Sequence, residues 1–117
     1  MAIVNIKTVN DADFYRRFVY KTIDLVPIDL TGARLRMMLR KNAADVTVWL
    51  HLSNGDEGGI AIVDPAAGNF TVLITQEQLE RLPVDEYDHS LIMTDAAGTQ
   101  QTSVWRGTLT NQAGPSR

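Results

Sequence analysis

The side chains best equipped for chemistry in this chain are two histidines, His51 and His89, and four serines at positions 53, 90, 103 and 116. Beside them stand a Gly- and acid-rich stretch, Asn54 to Gly59, and an acidic run of Asp85, Glu86 and Asp88. Zinc or general-base chemistry would require a second histidine, a cysteine or a paired carboxylate at ligand spacing, and neither histidine has one. A hydrolase nucleophile would be expected in a Gly-x-Ser-x-Gly elbow, and no serine occupies one. The 54–59 stretch lacks the alternating acidic ligands of a calcium loop and the terminal Lys-Ser/Thr of a phosphate loop. Gly, Asn and Asp are what a solvated turn uses, and a turn is expected there. With no cysteine, disulfides, zinc–thiolate sites and thiol catalysis are excluded. The expectation is a protein that is not an enzyme, with no catalytic residues, no metal and no cofactor.

The residue types that remain informative are those of recognition. In the stretch Arg34 to Arg40, the residues Leu35, Met37 and Leu39 alternate with Arg34, Arg36, Met38 and Arg40. In the stretch Val46 to Ser53, Val46, Val48, Leu50 and Leu52 alternate with Thr47, Trp49 and His51. A period of two is that of half-buried strands, and the five intervening residues are hairpin length. One face of this hairpin would then carry Arg34, Arg36, Met38, Arg40, Trp49 and His51. An outward Trp beside arginines is the mixture enriched in binding hot spots, and Arg can stack on the indole. Two readings stay open: a face for a partner or for another copy, or burial of Trp49 under a loop or the N-terminal segment.

The elements that would position this face are short strands at regular intervals. Beyond the hairpin, strands are expected at 60–63, 70–75, 87–94 and 101–110, and at 3–9 and 14–20 with less clean faces. Asp64 to Asn69 and Asp95 to Gly98 supply turns. Phe70, Val72 and Ile74 share one side, and Trp105 is assigned to the core with Leu109. One short helix is expected over about residues 76–82, opened by Thr75 with Gln78 placed for a capping box and stopped by Pro83. Leu79 and Leu82 would pin it to the core. Repeated short strands with turns between them indicate an all-β antiparallel sandwich of about 7–9 strands. At 117 residues one domain is expected, over 1–110, with 111–117 as a flexible tail.

Charge and hydropathy narrow the class further. Residues 1–41 hold eight Lys/Arg against four Asp/Glu, and residues 42–95 hold ten acids against Arg81 alone. The net charge of -3 argues against a general nucleic-acid binder. The asymmetry would favour head-to-tail contacts unless strand order mixes the segments in space. No apolar run approaches the roughly 20 residues of a membrane helix, and the start, Met1 to Lys7, lacks the pattern of a signal peptide. A soluble chain made in the cytoplasm is expected, with no nucleic-acid or membrane partner.

Two local patterns carry a family resemblance. Leu82 to His89 follows the helix into a strand, and its Asp85-x-Tyr87 start resembles the tyrosine corner of immunoglobulin-like sandwiches, with His89 where an antibody domain has cysteine. Upstream, Pro27 to Ala33 places Asp29 or Thr31 to bond local backbone while Gly32 takes an unusual dihedral before the 34–40 strand. Over residues 12–110 the order of these features resembles the small immunoglobulin-like domain of tailed-phage and prophage tail proteins, and is similar to the N-terminal domain of siphophage baseplate upper proteins. The resemblance implies a virion component of a tail, baseplate or fibre attachment, made in the bacterial host cytoplasm. It implies assembly with other phage structural proteins or copies of itself, as a homo-oligomer in the particle. Because the sequence ends soon after the domain, a free-standing accessory or adaptor is the expected form. The competing expectation is a carbohydrate- or small-ligand-binding sandwich using Trp49 and the 54–59 loop.

Overall fold

The computed structural model describes residues 2–21, 24 and 26–116. Its strands are β1 (Ala2–Ile3), β2 (Ile6–Val9), β3 (Phe14–Val19), β4 (Arg34–Arg40), β5 (Leu50–Ser53), β6 (Ile60–Asp64), β7 (Asn69–Ile74), β8 (Asp85–Thr94) and β9 (Gln101–Gln112). One helix, α1 (Gln76–Arg81), joins β7 to β8, and a 3-10 turn at Pro65–Ala67 joins β6 to β7. The larger sheet runs β1/β2, β9, β8, β4, β5, and the smaller runs β3, β7, β6. This is the immunoglobulin-like plan with an extra strand, β5, added to the sheet of the last two strands.

Alternation decides which sides meet. Leu35, Met37 and Leu39 of β4, Tyr87 and Leu91 of β8 and Leu109 of β9 are buried against Phe70, Val72 and Ile74 of β7. Each such side chain contributes about 2 kcal/mol by leaving water. Trp105 is buried as expected, its ring 4.6 Å from Phe18 and 5.8 Å from Phe70. A register shift between Leu91 and Ile92 leaves Val104 as an extra residue in β9, so Val104 and Trp105 both turn inward.

The N-terminal segment is one strand with an interruption. Ala2 and Ile3 pair with Trp105 and Arg106, and Ile6 to Val9 pair with Leu109 to Gln112, parallel and in the same register throughout. At the gap, Val4 donates to the Arg106 carbonyl at 2.9 Å, and the Asn5 side chain accepts from the Thr108 amide at 3.1 Å. The Val4 carbonyl passes so close to Gly107 that a Cβ there would lie 1.9 Å from it. Only glycine permits that approach.

Both local motifs form. The Tyr87 hydroxyl donates to the Pro83 carbonyl at 2.6 Å, closing a tyrosine corner at the exit of α1. Thr75 caps the helix reciprocally with Gln78: its Oγ1 accepts from the Gln78 amide at 3.2 Å, and Gln78 Oε1 accepts from the Thr75 amide at 3.0 Å. Asp85 accepts from the Glu86 amide at 2.8 Å and meets Lys41 at 3.4 Å, contacts that hold its carboxyl below the usual value. Ahead of β4, Asp29 accepts from the Thr31 hydroxyl and amide at 2.6 and 2.9 Å, and Gly32 follows with φ +72°. The Thr31 hydroxyl bond, then its amide, lowers the Asp29 carboxyl below its usual value.

Two expectations need correction. The expected strand at Val46 begins only at Leu50, and Val46 is 92% exposed. The reason lies across the sheet: Asp88 accepts from the Ala43 amide at 3.0 Å and Asp85 holds Lys41, which draws residues 41–43 toward β8. Residues 46–48 are thereby left without a facing strand. The second correction concerns the tail from 111. β9 continues to Gln112, Asn111 is fully buried, and the Gly114 amide donates to Asn10 Oδ1 at 2.8 Å. Residue 110 is therefore not the edge of the folded part; Met1 and Arg117, the outer ends of the two expected segments, lie outside the described residues.

Candidate functional site

The outer face of the larger sheet is built by the residues that alternate with its core. Ile3, Arg106, Ser90, Met38 and His51 lie directly opposite one another across β1, β9, β8, β4 and β5. The next row toward the helix end is Thr108, Asp88 and Arg40, and the row on the other side includes Ile92 and Arg36. All of these except His51, with Asn5, Ala43, His89 and Gly107, line an open groove of about 560 Å³. Strand pairing puts β9 and β4 on either side of β8, roughly 10 Å apart at two strand spacings.

The groove is cationic at its walls and apolar along part of its floor. Arg34, Arg36 and Arg106 are exposed, and their guanidinium groups have no ion-pair or hydrogen-bond partner among the described residues. Arg40 is held in place by the Asp45 carbonyl at 2.8 Å. Asp88 is the one carboxylate among the lining residues, and the Ala43 amide already occupies one of its oxygens. Met38 and Ile92 are half-buried between the cations.

Of the six residues expected on this face, Arg36, Met38 and Arg40 line the groove. Arg34 lies one row beyond, opposite Thr94. His51 is opposite Met38, but its Nδ1 faces Glu57 at 3.5 Å, outside the groove. Trp49 does not join them. Its ring is 6.3 Å from the ring of buried Tyr87 and lies under the Lys41 ammonium at 5.0 Å, so the cation stacked on it is a lysine and no arginine is involved. The residue precedes β5, and its amide still donates to the Leu39 carbonyl of β4 at 2.8 Å. Trp49 is 40% exposed, so neither a loop nor the N-terminal segment buries it, but it is not among the residues that line the groove.

Sequence reasoning missed the other half of the groove: Ser90 and Ile92 from β8, Arg106 and Thr108 from β9, and Ile3 from β1. Alternation in 87–94 could have supplied Asp88, Ser90 and Ile92. The contribution of β1 depends on a pairing between the two ends of the chain, for which no local signal exists.

The histidines and the acidic loop are tied into the fold, and His89 also lines the groove. His89 is buried, its Nε2 3.2 Å from the Thr108 carbonyl and its Nδ1 without a hydrogen-bond partner among the described residues. Burial pushes its pKa below the ordinary 6.5, against weaker upward effects of the Thr108 and Val4 backbone. In the 54–59 turn, Asn54 accepts from the Leu35 amide at 2.9 Å and donates to the Ala33 carbonyl at 3.0 Å. Glu57 accepts from Ser53 at 2.9 Å, which lowers its carboxyl. Among the described residues no group of three or more His, Asp or Glu could hold a metal ion. Among them, too, no helix is long and apolar enough to cross a membrane. The basic and acidic sequence segments are mixed in space, with Arg40 opposite Asp88 and Lys41 beside Asp85.

No protein-family model and no curated protein matches the chain. Among solved structures it is similar to the N-terminal domain of phage TP901-1 ORF48. The likeness covers 94% of this chain and 84% of that one, with a TM-score of 0.50 and 12% identity. At that identity what is shared is the fold.

Proposed function

We propose that the protein is a non-enzymatic structural or adaptor component of a phage or prophage particle, in its tail, baseplate or fibre attachment, acting through protein–protein contacts. The observation that carries this reading is the fold shared with a phage domain over 94% of the chain. The sequence resemblance to phage tail domains, read from the corner and the turn before β4, points the same way. The groove face supplies a surface for such contacts: it is large, only partly apolar, and carries Arg36 and Arg106, with Arg34 one row beyond, none in an ion pair among the described residues. On this reading the chain is made in the host cytoplasm and ends in the virion, beside other particle proteins or further copies of itself.

Particles induced from a host carrying the gene, purified by density gradient and analysed by mass spectrometry, provide the test. The chain is expected to co-purify with particles at a fixed ratio to the tail proteins, and immunogold should mark the tail. A chain found only in the soluble lysate, with none in intact particles, would refute the proposal.

A further inference from the structure

Arg36 and Arg106 stand on opposite sides of β8, two strands apart, with Ser90 and Ile92 between them and Met38 beside Arg36 on β4. Both guanidinium groups are exposed and unpartnered among the described residues. An occupant of this groove is therefore selected by charge. A second copy presenting the same face would bring arginine against arginine, and like-charge juxtaposition across an interface is strongly unfavourable. The symmetric face-to-face pairing open to a sandwich of this kind is accordingly opposed here. The width also discriminates. A helix, about 10 Å across with its side chains, would fill the roughly 10 Å between the two walls before the arginine side chains are counted, whereas a single extended chain fits.

Resting on the docking reading above, we propose that the groove binds an extended acidic segment of a different protein of the particle. Its carboxylates would lie on Arg36 and Arg106 and an apolar side chain on Met38 and Ile92. Guanidinium matches a carboxylate with two parallel hydrogen bonds, so two such pairs fix the register of the segment along β8. The apolar floor adds affinity that a purely ionic contact would lack.

The probe is a fluorescein-labelled decapeptide of alternating glutamate and leucine, with an alternating lysine–leucine peptide as control, read by anisotropy against the full chain. Binding of the acidic peptide alone is expected. It should weaken about tenfold or more in the Arg36→Glu/Arg106→Glu double variant. Binding should be unchanged in Arg16→Glu/Arg17→Glu, which makes the same charge change on the other sheet. Equal binding of both peptides, or equal loss in both variants, overturns the proposal. So does wild-type self-association by light scattering that the groove variant abolishes, since a second copy would then be the occupant. Ser90→Trp fills the groove without changing charge and separates this inference from the docking reading. Particle incorporation lost in Ser90→Trp but kept in the double charge variant would leave docking standing and refute the acidic occupant. Incorporation kept in both would refute docking at this face as well.

Discussion

Asn111, in the last strand, closes the helix from a distance of 29 residues: its Nδ2 donates to the Leu82 carbonyl at 3.0 Å. The same nitrogen donates to the Leu79 carbonyl at 2.9 Å, and the Asn111 side-chain oxygen accepts from the Thr8 hydroxyl at 3.0 Å. One buried amide thus joins β9, β2 and the C-terminal carbonyls of α1 that helical geometry leaves open. Asn111→Ala should cost about 2–3 kcal/mol, since buried acceptors lose their donors. Urea unfolding followed by tryptophan fluorescence measures this. A loss close to zero would mean that water replaces the amide.

At the other end of the same turn, the bond from Tyr87 to Pro83 can be removed while the ring stays. Tyr87→Phe should lower stability by about 1 kcal/mol, because the bond is single and Pro83 is exposed enough to be rehydrated. Tyr87→Ala also empties a fully buried site and should cost about 3–5 kcal/mol, as large-to-small aromatic changes do. The two midpoints in one denaturation series separate the hydroxyl from the ring.

His89 should make the fold acid-sensitive before its carboxylates do. Its pKa is below 6.5 in the folded chain, chiefly through burial, so the unfolded chain binds the proton first as pH falls. Stability is unaffected by this group above 6.5 and declines as pH drops from 6.5 toward the folded value. His89→Gln keeps a donor for the Thr108 carbonyl and removes the titration. Denaturation midpoints between pH 7 and 5 should then fall less steeply than in the parent (about 5 being well above the ordinary carboxylate range). Parallel slopes would contradict the assignment.

Gly107→Ala tests the gap between β1 and β2. The added methyl would collide with the Val4 carbonyl, so the N-terminal strand must shift away from β9 or the pair must strain, at about 1–3 kcal/mol. Hydrogen exchange at the Val4 amide, which is bonded to Arg106, should accelerate in the variant while that of β4 amides changes little.

What the sequence made legible was whatever local pattern governs. The alternation of 34–40 named the buried face of β4, and Thr75 with Gln78 named the start of the helix. Asp29, Thr31 and Gly32 named the turn, and Tyr87 the corner, because each involves residues only a few positions apart. Where distant residues decide, the pattern misled. Val46 and Val48 alternate as well as any strand in the chain, yet Asp88 captures the Ala43 amide and no partner strand remains for them. The Trp49 ring lies beside Tyr87 and under Lys41, contacts that no local pattern announces. Asn111 read as tail because its three partners are 29 or more residues away in sequence. Half of the groove was hidden for the same reason, since β9 and β1 meet across more than a hundred residues.

The side-by-side alignment of the two terminal strands has a mechanical consequence. Ala2 to Val9 and Trp105 to Gln112 point the same way, so tension applied between the ends of the chain slides one strand along the other. Six backbone registers then resist together, whereas an antiparallel pair pulled at its open end would yield rung by rung. Extension in an optical trap should meet its largest force at the release of this pair.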